Sequence, residues 1–379
     1  WLTPPPKGHV AQAKELLHQL EALEDHKITE HGKDIHKLPC HPRLAHMLLM
    51  AKEENLTALA CDLAAILDER DPLDKEAGID INLRVEALRR FRSGSLKNKK
   101  LMRIAKTAEQ YRSILSVNEE NTAIDPFETG LLLAFAYSER IAHAVPGNNA
   151  QFKLANGSLA AAGHKDDLAH ESWLAIASLN ARDGVGKIFL ASPINPQDLA
   201  PMVKSINTIS WDTKRGGFKA QTELRIGNIL LQSKPWNDFD ESLKVKAISD
   251  AIKKEGGWLL DFNEEVEQWQ SRVNSLRLWD SAHNWPNVST ANLLATNSKW
   301  LTPYLGNIRK PEDIKKINLK TVLQHHLDYE LQNLLDQLAP QKIEVPSGST
   351  IKLNYQPNGE APILAVRLQE IFGLLETPK

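Results

Sequence analysis

The sequence predicts an α+β multidomain chain, and three observations carry that prediction. Residues 38–116 repeat apolar side chains at helical spacing. Residues 150–234 change to short alternating segments broken by Gly, Asn and Asp. After Pro235 helical spacing returns. At 379 residues there is room for about two to four domains, on a scale of ~100–200 residues each.

The elements follow in order. Ala13, Leu16, Leu17, Leu20 and Leu23 mark a helix over 8–25, and "KITEHGKDIHKLP" reads as a small hairpin or wing. In "LPCHPRLAHMLLMA", Pro42 suits a first helical turn, and Leu44, Met47, Leu48 and Ala51 form one stripe. Leu56, Ala60, Leu63, Ala64 and Leu67 form the next, stopped at "ERDPL" by Pro72. Helical patterns follow near 81–92 and 97–116. "DPFETGLLLAFAY" then opens with Asp125 as N-cap, Pro126 at the first helical position and Glu128 completing a capping-box-like triplet. "QFKLANGSLAAAG", "SWLAIASLN", "GKIFLASP" and "GGFKAQTELRIGNILLQSKP" supply about five strands, which suits a small barrel. Helices are expected near 241–254, 262–279, 290–302 and 317–338. Strands "QKIEV" and "STIKLNY" come next, and "PILAVRLQEIFGL" closes as a helix.

Composition excludes several classes. Apolar residues make up 42% and charged residues 25%, as in ordinary globular protein. No apolar run reaches the ~18–20 residues of a membrane helix; "GLLLAFAY" stops at Ser138. No membrane partner is therefore expected. "WLTPPPKGHV" lacks the basic-then-apolar order of a signal peptide. A first residue of Trp1 rather than Met leads us to expect a piece of something longer. Two cysteines, Cys40 and Cys61, are too few for a disulfide framework and point to a reducing, cytoplasmic home. The net charge of −2 requires any nucleic-acid surface to be local.

No G-x-S-x-G, H-E-x-x-H or paired Cys-x-x-Cys motif occurs. His41 and His46 lie five apart, roughly 140° around a helix, whereas helical zinc pairs use i, i+4. "ARDGVGKI" imitates a phosphate-binding loop, but Ala181 replaces the first Gly and Ile188 the Ser/Thr. His325 and His326 have no ligand spacing. No catalytic residue, metal ligand or bound cofactor is expected in this chain.

What remains is charge. "RVEALRRFRSGSLKNKKLMRIAK" holds Arg84, Arg89, Arg90, Arg92, Lys97, Lys99, Lys100, Arg103 and Lys106 against the lone acid Glu86. Such a patch can neutralise phosphates. It can equally be a solvated surface balanced by Asp68, Glu69, Asp71, Asp74 and Glu76. In the strand segment, Lys153, Asn156 and Ser158, with Lys187, Lys214, Arg215 and Arg225, could touch a nucleic-acid backbone. Phe152 and Phe218 could stack on bases, although strand aromatics are more often core.

"LPCHPRLAHMLL" followed by "ALACDLAAILDERDPL" resembles the opening of the helical domain of HrpB-type DEAH-box ATP-dependent helicases. "LLLAFAYSERIAH" with "FKLANGS", "ELRIGNILL", and "VPSGSTIKLNY" with "APILAVRLQEIFG" extend the resemblance in the same order along nearly the whole chain. It implies the end of a degenerate winged helix over 1–37, a helical ratchet bundle over 38–147, an OB-like barrel over 148–235, and a family-specific, mostly helical C-terminal domain with a small sheet over 236–379, cut short at its end. The Walker A, DEAH-box and arginine-finger motifs are absent from this sequence. The resemblance thus implies that ATP and Mg belong to missing RecA-like motor domains, which would be partners within a longer chain.

The function so implied is an accessory region gripping single-stranded nucleic acid, with RNA favoured over DNA, by Arg43, His46, the patch from Arg89 to Lys106, and Lys153, Asn156 and Ser158. The rival expectation is a protein-interaction platform with little nucleic-acid binding of its own. Basic side chains paired with Asp68–Glu76 would favour the rival.

Overall fold

The computed structural model describes residues 4–94, 98–147, 150–180, 184–212 and 217–373. It is a mixed α/β chain with a closed five-stranded barrel and many helices. Two compact units divide it: the residues up to Ile206 with Glu223–Ser233, and Asn207–Thr222 with the residues from Lys234 on.

In the first unit, α1 (Lys7–Gln19) leads to a hairpin of β1 (Leu23–Glu24) and β2 (Lys27–Ile28), turned by Asp25 and His26, both at positive φ. A helix not expected from sequence follows, α2 (Glu30–Lys37). Its signal is local: the Thr29 side chain accepts from Gly32 N at 2.9 Å, capping the first turn. Next come α3 (Pro42–Met50), α4 (Thr57–Asp68), α5 (Asn82–Arg92), α6 (Lys99–Leu115) and α7 (Pro126–Ala136). Pro42 stands in the first turn of α3, with the His41 ring accepting from Arg43 N. Asp125 caps α7 through Phe127 N at 2.9 Å. The spacing predicts a one-sided stripe for α4, yet every residue from Ala58 to Ile66 is buried. Its apolar residues surround it on all sides, which makes it the axis of the unit. α6 packs on it, and α3 packs on α7.

The barrel closes in the order β3 (Ile141–Ala144), β4 (Gln151–Leu154), β5 (Leu159–Ala161), β7 (Val185–Pro193), β6 (Trp173–Asn180). All neighbours are antiparallel except β5 and β7. Phe152, Leu154, Leu174, Ile176 and Ile188 fill it. Phe152 is wholly buried, so it is core and not a base-stacking residue.

The stretch expected to form one barrel over 148–235 therefore forms two structures. Closure starts earlier, at Ile141, and ends at Pro193. A closed barrel offers no edge to further strands. β8 (Lys204–Asp212), β9 (Gly217–Ile226) and β10 (Ile229–Pro235) accordingly make their own sheet, with β9 central. α7 lies against β6 and β7, held where Ser192 donates to Pro126 O at 2.9 Å and accepts from Asn82 Nδ2 at 2.8 Å.

The second unit contains α8 (Glu241–Glu255), α9 (Glu264–Trp279), α10 (Thr290–Ala295), α11 (Asn297–Trp300), α12 (Pro311–Lys315), α13 (Leu319–His326) and α14 (Tyr329–Leu338). A small antiparallel sheet follows, of β11 (Lys342–Glu344), β12 (Thr350–Asn354) and β13 (Ile363–Leu364). Trp269, Val273 and Leu276 of α9 share a core with Trp285, Trp300 and Leu323.

Three expectations change here. The helix expected near 290–302 divides at Thr296 into α10 and α11. The helix read over 317–338 breaks at Leu327, where the Gln332 amide donates to Gln324 O and Leu327 O. The closing helix is instead β13 and a short 3-10 turn at Leu368–Ile371, because Ile363 and Leu364 pair with Asn354 and Leu353. Arg272 is buried and serves the end of α14, donating to Ala339 O, Leu335 O and Asp336. A cation there satisfies carbonyls that the helix cannot.

Candidate nucleic-acid interface

A cavity of about 590 Å³ opens in the first unit where α3 and α7 meet the barrel. α3 contributes His46 and Met50, and α7 contributes Ala134 and Phe135. Ser138, Glu139 and Ile141 lead from α7 into β3. Asn156, in the turn after β4, faces Gly227 and Asn228 in the turn between β9 and β10. Two of the expected contact residues, His46 and Asn156, therefore line one cavity although 110 positions separate them.

Backbone contacts fix its walls. Asn156 N donates to Glu139 O at 3.0 Å, and Asn228 N donates to Ala155 O at 2.7 Å. Gly227 lies at φ 53°, and a Cβ there would stand 2.3 Å from Ala155 O, so this close turn-on-turn approach requires glycine. Asn156 Oδ1 accepts from Ser158 N at 2.9 Å and Oγ at 2.7 Å, holding the turn. Lys204 and Glu21 stand on the rim as opposite charges.

Arg43 does not reach into this space as a free cation. Its guanidinium grips both oxygens of Glu139, at 2.7 and 2.9 Å, and donates to Ala136 O at 2.9 Å. Arg140 adds a second contact to Glu139 at 3.3 Å, and Tyr137 lies beneath both guanidiniums. A two-point, half-buried pair of this kind is a clasp between α3 and the end of α7. Its effect is to neutralise Glu139 on the cavity wall.

His46 is buried and meets His31 of α2, Nε2 of His31 to Nδ1 of His46, at 2.7 Å. Sequence spacing missed this partner, which sits 15 positions upstream and turns a second face of α3 inward. Burial, helped by the neighbouring ring of His31, lowers His46 from 6.5 to about 4. Between those values the unfolded chain takes up a proton that the folded chain refuses, so stability is full above pH 6.5 and falls as pH drops. The loss between pH 7.5 and pH 5 is expected to be about 2 kcal/mol. Urea midpoints at both pH values, for the parent chain and His46→Gln, check it; equal acid losses in the two would refute the assignment.

The basic stretch divides in two. Arg84 is buried against Asp71 at 2.9 Å and Asp80 O at 2.8 Å. Arg92 grips Asp62 at 2.7 and 2.8 Å, and Arg89 reaches Asp62 at 3.8 Å and donates to Thr122 O. Arg112 completes the ring around Asp62 at 3.0 Å. Burial pushes the Asp62 carboxyl up, and Arg92, Arg112 and Arg89 oppose that shift. Arg89 and Arg92, expected as phosphate contacts, are thus consumed inside the unit, because an acid in the buried middle of α4 demands counter-charge.

Arg90 faces outward with Glu86 at 2.9 Å, and Lys100 donates to Asp71 O at 2.9 Å. Lys99, Arg103 and Lys106 are exposed and make no ion pair among the described residues. Lys97, Lys214 and Arg215 lie outside the described residues. In the strand-rich region Lys153, Asn156 and Ser158 are exposed, and Arg225 pairs with Glu223 at 2.6 Å. Phe218 packs on Phe239, ring centroids 5.0 Å apart. Among the described residues no group of three or more His, Cys, Asp or Glu could hold a metal ion, and no helix is long and apolar enough to cross a membrane.

A helical block clasped to a five-stranded barrel, followed by a second compact unit, is similar to the C-terminal region of an ATP-dependent helicase. A family model described as "ATP-dependent helicase C-terminal" matches residues 300–379. A second, described as "ATP-dependent RNA helicase HrpB, connector region", matches residues 202–236, the stretch of β8 to β10. The ATP-dependent RNA helicase HrpB of Escherichia coli strain K12 is 29% identical over the whole chain, which covers 45% of that relative. The crystal structure of the E. coli DExH-box NTPase HrpB matches all of this chain and 45% of its own, at 29% identity and a TM-score of 0.55. A second E. coli structure, of the DEAH/RHA helicase HrpB, matches at 28% identity and the same TM-score. The resemblance to the C-terminal portion of HrpB-type helicases therefore holds across the whole chain, which spans just under half the length of the relatives it matches.

Proposed function

We propose that this chain is the accessory C-terminal region of an ATP-dependent RNA helicase, and that it holds a single strand while RecA-like domains elsewhere hydrolyse ATP with Mg. The observation that carries the reading is the cavity of His46 and Asn156, set in a chain similar along its full length to an RNA helicase. The five-stranded closed barrel, with its one parallel pair between β5 and β7, supports an OB-like assignment. The helices from α3 to α7 suit a ratchet bundle, and α1 to α2 with their hairpin suit the end of a winged helix. A cytoplasmic location fits such a protein.

In this reading Asn156 and His46 meet bases or sugars, as neutral side chains in a cavity whose Glu139 is already paired with Arg43 and Arg140. The outward lysines and arginines Arg90, Lys99, Lys100, Arg103, Lys106 and Lys153, with Ser158, meet the phosphate backbone, which positions a strand without reading its sequence. The test is anisotropy of labelled single-stranded RNA and DNA with this chain across a salt series. Affinity should fall linearly on a log–log plot, with a slope of about −0.7 per phosphate neutralised on a single strand, and RNA should bind more tightly than DNA. No binding at low salt would overturn the reading.

One observation favours a second reading. Arg84, Arg89 and Arg92 are tied to Asp71 and Asp62, so much of the basic stretch is structural. A protein-interaction platform needs no such charge, and capture of a partner by a chain that ignores oligonucleotides would establish it.

A further inference from the structure

The second unit holds a small cavity whose buried, unused polar groups are all donors. It opens between α9, α13 and the sheet of β11 and β12, with a volume of about 140 Å³. Glu265, Trp269 and Arg272 reach it from one face of α9, at i, i+4 and i+7. Lys320 of α13, Lys342 of β11 and Lys352 of β12 stand across from them. The sheet is pinned to α9, because Gln268 donates to Asn354 Oδ1 at 2.7 Å and accepts from Tyr355 N at 2.9 Å.

Two of these side chains are buried yet incompletely paired. Arg272 spends Nε on Ala339 O and Nη2 on Leu335 O and Asp336, while Nη1 makes no hydrogen bond among the described residues. Trp269 is 3% exposed, and its Nε1–H likewise makes none. Neither nitrogen is sealed from water, so each opens on the cavity that its residue lines. A water or a ligand oxygen can satisfy them, and charge decides between the two.

Lys342 lies directly opposite Lys352 in the register of β11 and β12, and like charges so placed disfavour the pairing. Lys342 is exposed and forms no ion pair among the described residues. Lys352 reaches Glu264 at 3.3 Å, and Lys320 reaches Glu265 at 2.9 Å. Both carboxylates are mostly exposed, so they hold these lysines weakly. Among the described residues of the wall, Glu265 is the one carboxylate against four cations.

We infer that this cavity binds a small phosphate-class dianion, inorganic phosphate or a compact phosphomonoester, with oxygens on Trp269 Nε1, Arg272 Nη1 and the Lys342 ammonium. A dianion answers the excess of cations better than a carboxylate, and its three terminal oxygens match the three unused donors. The volume suits a single head group, being below the ~300 Å³ at which pockets begin to enclose larger ligands. The site belongs to the second unit alone, and the inference stands independently of the strand-binding reading.

The experiment titrates inorganic phosphate, glycerol phosphate, acetate and a 5′-phosphorylated oligouridine into the full 379-residue chain at constant ionic strength. The chain carries 15N-labelled tryptophan, and the indole N–H resonances are followed by NMR. Phosphate should move one of the nine indole signals, the one missing from Trp269→Phe. Phosphorus line broadening reads the affinity of each variant. Trp269→Phe should lose about 2-fold to 12-fold, one neutral hydrogen bond. Lys342→Gln should lose about tenfold or more, one charge-assisted contact. Lys299→Gln, an exposed lysine of α11 outside the cavity, should stay within about twofold. Glycerol phosphate should match phosphate, and acetate should bind about tenfold more weakly.

Lys342 is exposed, so its replacement leaves the core of the unit intact and keeps the test decisive. A Trp269 signal that stays still in tens of millimolar phosphate overturns the site. Acetate binding as tightly as phosphate, or equal losses in Lys299→Gln and Lys342→Gln, overturns it as well. Tighter binding of the oligouridine than of glycerol phosphate would assign the cavity to a nucleic-acid end and overturn the small-molecule inference.

Discussion

Asp62→Ala should destabilise the first unit by about 3–5 kcal/mol, the cost of stripping the partner from a buried ion pair. Asp62 is 1% exposed at the middle of α4, and its carboxylate faces Arg92, Arg112 and Arg89 from two other helices. Without it, three guanidiniums remain buried with only half-exposed Glu119 nearby, bound to Arg112 at 3.1 Å. The Arg92 and Arg112 side chains cannot simply swing out, because each is also packed at over nine-tenths burial. Hydrogen exchange with mass spectrometry reads the effect directly: protection of the α4 and α6 amides should collapse first. Asp62→Asn keeps the shape and removes the charge, and it should lose most of the same stability. A change below about 1 kcal/mol in Asp62→Ala would show that the ring carries no such weight.

Gly130→Ala should cost about 3 kcal/mol, the upper end for forcing an extra carbon into a packed site. Helix propensity alone argues the opposite sign, since Ala in a helix interior gains about 1 kcal/mol over Gly. Space decides. A Cβ at Gly130 would lie 1.9 Å from Pro193 O and 2.8 Å from Pro193 C, and both are backbone atoms that no rotamer change can move aside. α7 would have to lift from the end of β7, and the Ser192 bonds to Pro126 and Asn82 would stretch with it. Gly8→Ala in α1 is the matched control, because nothing lies within 4 Å of its Cβ position. Urea unfolding should show one glycine replacement weakening the chain and the other strengthening it slightly. Equal effects would refute the close approach of α7 to the barrel.

How much of this was legible in the sequence follows from the range of each interaction. The starts of α3 and α7 were readable because Pro42, Asp125 and Pro126 act within one turn. The stretch "ERDPL" was readable as a helix stop; its Asp71 proved to have a second task, pairing with Arg84 13 residues on. The ring around Asp62 was not readable, since its arginines come from 27, 30 and 50 positions away. One clue stood in plain sight: Asp62 is the lone charged residue in "ALACDLAAIL". The His31–His46 bond and the turn-on-turn contact of Ala155 with Asn228 are equally nonlocal. Charge counting overstated the basic stretch, because it cannot separate inward from outward positions on a helix whose own neighbours are unknown. The final segment was misread for a related reason: pairing with β12 outweighs the helical spacing of its apolar residues.

The division of the chain at Ile206 and Glu223 bears on how the protein is made. The first unit takes its last segment, Glu223–Ser233, only after Asn207–Thr222 has been laid down for the second. Ile226 and Ile229 belong to the core of the first unit, and Asn228 closes on Ala155. A ribosome adding ~5–20 residues per second would release the barrel strands a second or more before those side chains emerge. During that interval the nascent barrel waits with the Ala155 carbonyl and an apolar seam uncovered. The same geometry dictates where the gene can be divided: a recombinant first unit that stops at Ile206 omits part of its own core, and one that runs to Ser233 carries a length of the other unit with it.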